Sequence, residues 1–171
     1  MEKKKIYLSG PDRLRKNARD LFKEKKQLCE KYGFELLEYP DELFDLKGDP
    51  KDSLPLAEKR LELLKHCDIM IADTRDFRSY VEPYSECALE LGMAYALGKK
   101  LYSYMPDTRI CDDRYSGEKH LNENGRLVDK DGISFEPGPL NLMLEYSSCI
   151  VEGDMETALR KVCEDLQKGE A

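Results

Sequence analysis

The chain of 171 residues carries 28 Lys and Arg against 35 Asp and Glu, a net charge of −7, with 40% apolar residues; this length fits one domain, residues 1–171, that buries its core without staples. Its cations are interspersed with acids instead of forming a stripe, which argues against polynucleotide partners. Six cysteines at 29, 67, 87, 111, 149 and 163 make no CxxC pair and are accompanied by only two histidines, His66 and His120, so neither a zinc site nor a disulfide scaffold is expected.

At the start, "MEKKK" precedes an apolar run too short for a secretory leader, and no later run reaches membrane length. A soluble cytoplasmic protein with reduced thiols is expected. "KIYLS" (5–9) predicts a buried strand ending at Gly10-Pro11, and residues 14–32 predict an amphipathic helix closed by Gly33. A strand over 34–39, a Pro/Gly/Asp-rich loop and a helix over 55–67 begun by Pro55 follow. Residues 68–73 read as a strand, 82–100 hold a helix, and 100–105 form the next strand. Residues 106–138 are polar and glycine-punctuated with no period, and read as a long loop. A short helix over 138–146, a strand over 148–153 and an amphipathic helix over 155–168 complete the chain. This alternation predicts an α/β fold: doubly wound, with a mostly parallel five-stranded sheet and helices on both faces, in the flavodoxin or Rossmann manner. Ligands of such sheets bind beyond the carboxyl ends of the strands, here "LSGPDR", "IADTRDFR" and the loop after "YSYMPDTR".

"IYLSGPD" lacks both G-x-G-x-x-G and a Walker lysine, so it does not read as a dinucleotide or triphosphate loop. It offers instead a tight Gly10-Pro11 turn that brings Tyr7 and Asp12 to the sheet edge. The anomaly of the chain is Glu90. From Cys87 to Gly98 it is the one charged residue, where the composition would give about four. A buried lone carboxylate is expensive, so Glu90 has either a structural partner, such as Arg75 or Arg78, or a task. Glu86, one turn earlier, reads as a solvated first-turn acid suited to the helix dipole, or as a group that tunes Glu90.

Four blocks in order, "IYLSGPD", "CDIMIADTRDFR", "EPYSECALELGMAYALGKK" and "PGPLNLML", resemble the nucleoside 2-deoxyribosyltransferase family over nearly the whole chain. The resemblance implies that Glu90 of "LELG" is the nucleophile and that Tyr7 orients it. It also implies that Gly10, Pro11, Asp12, Asp73, Arg78 and Tyr84 line the substrate site. Asn141 would reach a neighbouring subunit's site to bind sugar hydroxyls, with Met143 beside the ligand; the alternative for Met143 is core packing. A homodimer or larger homo-oligomer with shared sites follows, acting on a nucleoside or nucleotide and a free nucleobase. No cofactor or metal is needed, because the carboxylate supplies the nucleophile. Two positions depart from the family pattern. Tyr84 stands where relatives usually carry an aspartate, and Arg60 where they carry Asp or Asn. Arg60, with Arg13 and Arg15, would favour an anionic ligand such as a 5′-phosphate; otherwise Arg60 pairs on the helix surface with Glu58 or Glu62. Three readings stand: a deoxyribosyltransferase, a nucleoside 5′-monophosphate N-glycosidase, and a silent nucleotide-binding module.

Overall fold

A computed structural model of the protein describes residues 2–44, 50–78 and 81–169; part of the expected Pro/Gly/Asp-rich loop, residues 45–49, lies outside the described residues. Strand β1 is Lys5–Ser9. A 3-10 turn over Pro11–Leu14 precedes α1, Ala18–Lys31, so this helix starts later than the expected residue 14. Strand β2 is cut to Glu35–Leu36. The Leu37 N–H still donates to the Ile6 carbonyl at 2.9 Å, but Pro40 has no N–H to extend the ladder. Helix α2, Pro50–His66, corrects the expected start at Pro55. Pro50 takes the first helical position, where a missing N–H costs nothing, and Pro55 sits inside the helix.

Strand β3 (Ile69–Asp73), helix α3 (Ser85–Ala96) and strand β4 (Lys100–Met105) follow. Residues 106–138, expected as a patternless loop, hold the single turn α4 (Cys111–Arg114) and the hairpin strands β5 (Lys119–Leu121) and β6 (Leu127–Asp129). Three-residue strands are too short to leave an alternating signal. Helix α5 (Leu142–Ser147), strand β7 (Cys149–Glu152) and helix α6 (Met155–Lys168) close the chain. No helix among the described residues is long and apolar enough to cross a membrane.

The main sheet runs β2-β1-β3-β4-β7 with every neighbouring pair parallel, and the β5-β6 hairpin forms a separate antiparallel sheet. Alternation along each central strand splits the core in two. Tyr7, Met70, Ala72 and Leu101 pack with α2, α3 and α5, whereas Ile6, Leu8, Ile71 and Tyr104 pack with α1 and α6. Every residue of β3 is buried, as expected for a parallel strand covered on both faces. This strand order reverses between β1 and β3, which opens a crevice at their carboxyl ends. Ser9, Gly10 and Asp73 stand at that edge.

Candidate active site

Two helices each carry a charge on an apolar stripe. In α3 the buried positions are Cys87, Glu90, Leu91 and Ala94, spaced i, i+3, i+4, i+7. In α2 the buried positions Leu56, Arg60 and Leu64 repeat every fourth residue. Glu90 and Arg60 are 3% and 4% exposed, and their stripes face one another across the end of β1. The Glu90 carboxylate accepts three hydrogen bonds. On Oε1 converge the Tyr7 hydroxyl at 2.5 Å and Arg60 Nη2 at 2.6 Å; on Oε2 the Ser9 hydroxyl donates at 2.5 Å. Tyr7 and Ser9 are two apart on β1, so the pleat points both at α3.

Behind this cluster stands Glu86, which is not a solvated acid. Arg13 donates to it through Nε at 3.0 Å and Nη2 at 2.6 Å, and Arg60 Nη1 donates to its Oε1. Arg13 also donates to the Tyr84 hydroxyl at 2.9 Å. Two guanidiniums thus balance two carboxylates. Burial raises the Glu90 carboxyl above the ordinary glutamate range, and Arg60, Ser9 and Tyr7 pull the other way without overcoming it. Burial also pushes Glu86 up, but there Arg13 and Arg60 win and hold it below that range. The Tyr7 phenol is driven far up, by burial first and then by Tyr39 and Glu90. It is therefore a hydrogen-bond donor at any working pH. Burial raises the Cys87 thiol to about 12, so it stays a neutral thiol beside the carboxylate.

Asp73 and Asp12 belong to a second cluster on the α1 face of the sheet. Asp73, fully buried, accepts from the Arg75 backbone at 3.2 Å and Arg75 Nε at 2.8 Å, while its Oδ2 lies against the same guanidinium. Asp12 takes Lys25 Nζ at 2.7 Å and Arg15 Nε at 2.9 Å. Gly10 joins the two clusters, packed against Asp73 at a φ of +145°; Pro11 beside it is buried. Arg78 lies exposed over the Phe77 ring, 5.0 Å from its centroid, and neither it nor Arg75 reaches Glu90. Asn141 caps α5 by accepting the Leu144 N–H at 3.2 Å. Met143 is 74% exposed, which corrects the alternative of core packing.

The surface pairing of Arg60 with Glu58 or Glu62 is likewise overturned, by its burial and its bonds to Glu86 and Glu90. Ser9 escaped the sequence reading, although its position two residues after Tyr7 was the available signal. Among the described residues no group of three or more His, Cys, Asp or Glu is arranged to hold a metal ion. Cavities of about 220 Å³, walled by Phe22, Tyr39 and Phe44, and about 620 Å³, walled by Pro40, Pro55 and Leu63, flank Tyr39, and Glu90 lines neither.

Residues 6–143 match the family model described as nucleoside 2-deoxyribosyltransferase. The structure is similar to a 2-deoxyribosyltransferase from Leishmania mexicana, with a TM-score of 0.74 and 29% identity over 94% of this chain and 97% of that one. It shares its fold with a 2-deoxyribosyltransferase from Bacillus psychrosaccharolyticus, with a TM-score of 0.57 and 18% identity over 92% and 89% of the two chains. An uncharacterized protein of Schizosaccharomyces pombe is 29% identical over 112 residues, 64% of this chain; that stretch is 53% of the relative, so this chain spans about half its length.

Proposed function

The chain belongs to the nucleoside 2-deoxyribosyltransferase family, and on that premise we propose that it transfers a 2-deoxyribosyl group between nucleobases through an ester on Glu90. The observation that carries this reading is a buried carboxylate held by three donors at the strand-order switch point. In the forward step a Glu90 lone pair forms a C–O bond to the anomeric carbon. The C–N bond breaks and its electron pair leaves on the base, whose nitrogen takes a proton from solvent; the incoming base later returns one to solvent from the N–H that it loses. An incoming base reverses the step: its nitrogen pair makes the new C–N bond and the ester pair returns to Glu90. Water in place of that base gives hydrolysis. A desolvated carboxylate stabilises the positive charge that develops at the anomeric carbon more strongly than a hydrated one.

Most cations at the edge, Arg78 over Phe77 excepted, are not free to meet a phosphate. Arg13, Arg60, Arg15, Lys25 and Arg75 each already hold a carboxylate, so an uncharged nucleoside is the better match. Chromatography of the protein with 2′-deoxyinosine and adenine, and separately with nucleoside 5′-monophosphates, tests the reading. Formation of 2′-deoxyadenosine is the expected result. Free base from a monophosphate without exchange would replace the transferase by the N-glycosidase, and silence in both reactions would leave the binding module.

Since Glu90 must be ionised to attack and burial raises its pKa, activity falls on acidification at a higher pH than an ordinary glutamate would dictate. A profile of kcat/KM against pH that stays flat down to the ordinary glutamate range contradicts it. Tyr7→Phe removes one of the two donors on Oε1, so kcat should drop about 10–100-fold with folding intact.

The same family membership supports a homo-oligomer. Leu142, Met143 and Tyr146 on α5 and Leu89 on α3 are each more than 60% exposed, and the Tyr146 ring stands 6.3 Å from that of Tyr95 on α3. Monomers seldom leave such apolar surface in water. Met143→Glu should therefore convert a dimer or larger assembly to monomers in sedimentation and lower turnover with it; an assembly unchanged by the charge would remove this surface from the interface.

A further inference from the structure

Arg60 is a costly residue to keep where it stands. Its guanidinium is buried, its Nε has no hydrogen-bond partner, and it lies 5.1 Å from the centroid of the Tyr39 ring. A buried ion pair seldom improves stability over an apolar replacement, and an unmade N–H bond worsens the balance. Stability alone thus gives no account of the buried Arg60–Glu90 pair as a whole, although with Glu90 in place Arg60 offsets its charge. Its other nitrogens are shared between the carboxylates of Glu86 and Glu90. They leave no free fork for a phosphate.

The two oxygens of Glu90 are unequally occupied. A carboxylate oxygen has two in-plane lone pairs. On Oε1 both are taken, by Tyr7 at 2.5 Å and Arg60 at 2.6 Å, whereas Oε2 receives only Ser9 at 2.5 Å. We infer that Arg60 is a positioning residue for Glu90: held in place by Glu86, it favours the charged carboxylate and turns it so that Oε2 is the oxygen that attacks. This rests on the reading of Glu90 as the nucleophile. Around Glu90 the charged and titratable groups are Tyr7 on β1, Tyr39 after β2, Arg60 on α2, and Glu86 and Cys87 on α3, with Ser9 as a neutral donor. Among them Arg60 is the one cation in contact. Glu86 pushes Glu90 toward the neutral form, and Arg60 is placed between the two.

The test is a carboxyl-carbon NMR titration of protein labelled in glutamate, with the Glu90 signal assigned by its loss in Glu90→Gln, run on wild type, Arg60→Met and Arg60→Lys. Without the guanidinium the Glu90 midpoint moves to higher pH, and Lys restores part of the shift. In parallel kcat at neutral pH falls about 10–100-fold with little change in KM, and raising the pH recovers part of it. An unmoved Glu90 titration in Arg60→Met overturns the inference, as does a loss confined to KM for nucleoside 5′-monophosphates, which would make Arg60 a phosphate ligand. If Arg60→Met does not fold, Arg60→Gln takes its place, and an unmoved Glu90 midpoint there overturns the inference. Should the wild type turn over no nucleoside, the functional reading fails while the titration still decides whether Arg60 favours the charged form of Glu90.

Discussion

Replacing Glu90 with Gln should lower turnover at least about 10³-fold, whether the acceptor is a base or water, since the amide cannot form the ester and carries no charge to meet the oxocarbenium-like transition state. The substitution nearly conserves volume. Its amide oxygen can still accept from Tyr7, Ser9 or Arg60, which donate to the carboxylate now, so circular dichroism and melting should show a folded protein. Glu90→Ala is the harsher variant, because it opens a cavity among Tyr7, Arg60 and Leu91 and takes from Arg60 one of its two carboxylates. Substrate binding should survive in Glu90→Gln, measured by calorimetry with a 2′-deoxynucleoside. Turnover within tenfold of wild type would remove Glu90 from the nucleophile position.

The same helices show what a sequence can and cannot reveal. Glu90 is legible because one acid interrupts an otherwise apolar run. Arg60 carries the matching signal, since it falls four residues from both Leu56 and Leu64, on the face that α2 buries. Two opposite charges on two apolar stripes must either meet or leave a buried charge unpaired. That spacing predicts their contact better than the adjacent Glu58 and Glu62 do. Which acid takes Arg13 was not legible, because the pair with Glu86 spans 73 residues and depends on how the turn after β1 lies against α3. Asp73 shows the opposite limit. Its place at a strand end predicts the site edge, but only the register, which pairs it with Tyr104, puts its side chain on the α1 face, away from Glu90. Short elements escape for a simpler reason: three-residue strands such as β5 and β6 offer no period to detect.

Gly10→Ala should be the most damaging single methyl added to this protein. Gly10 adopts φ 145° and ψ 176°, a region essentially closed to residues with a Cβ. That Cβ would lie 2.6 Å from the Cβ of Asp73, which belongs to the fully buried strand β3 and cannot retreat. Strain and overpacking together should cost about 3 kcal/mol or more, read as a fall in the urea midpoint and a melting point lower by about 6 °C or more. Ser9 and Pro11 flank the added methyl, so any relief by shifting β1 misplaces the Ser9 hydroxyl on Oε2 of Glu90 and turnover falls as well. A double-mutant cycle with Asp73→Gly, whose own cost includes the loss of the Arg75 carboxylate pair, separates the two causes in the double variant Gly10→Ala, Asp73→Gly. That variant removes the facing Cβ and should recover the steric part, while the backbone cost at position 10 remains. A Gly10→Ala protein as stable as wild type would show that the β1 turn can adopt another conformation, and with it that the approach of β1 to β3 does not fix the geometry around Glu90.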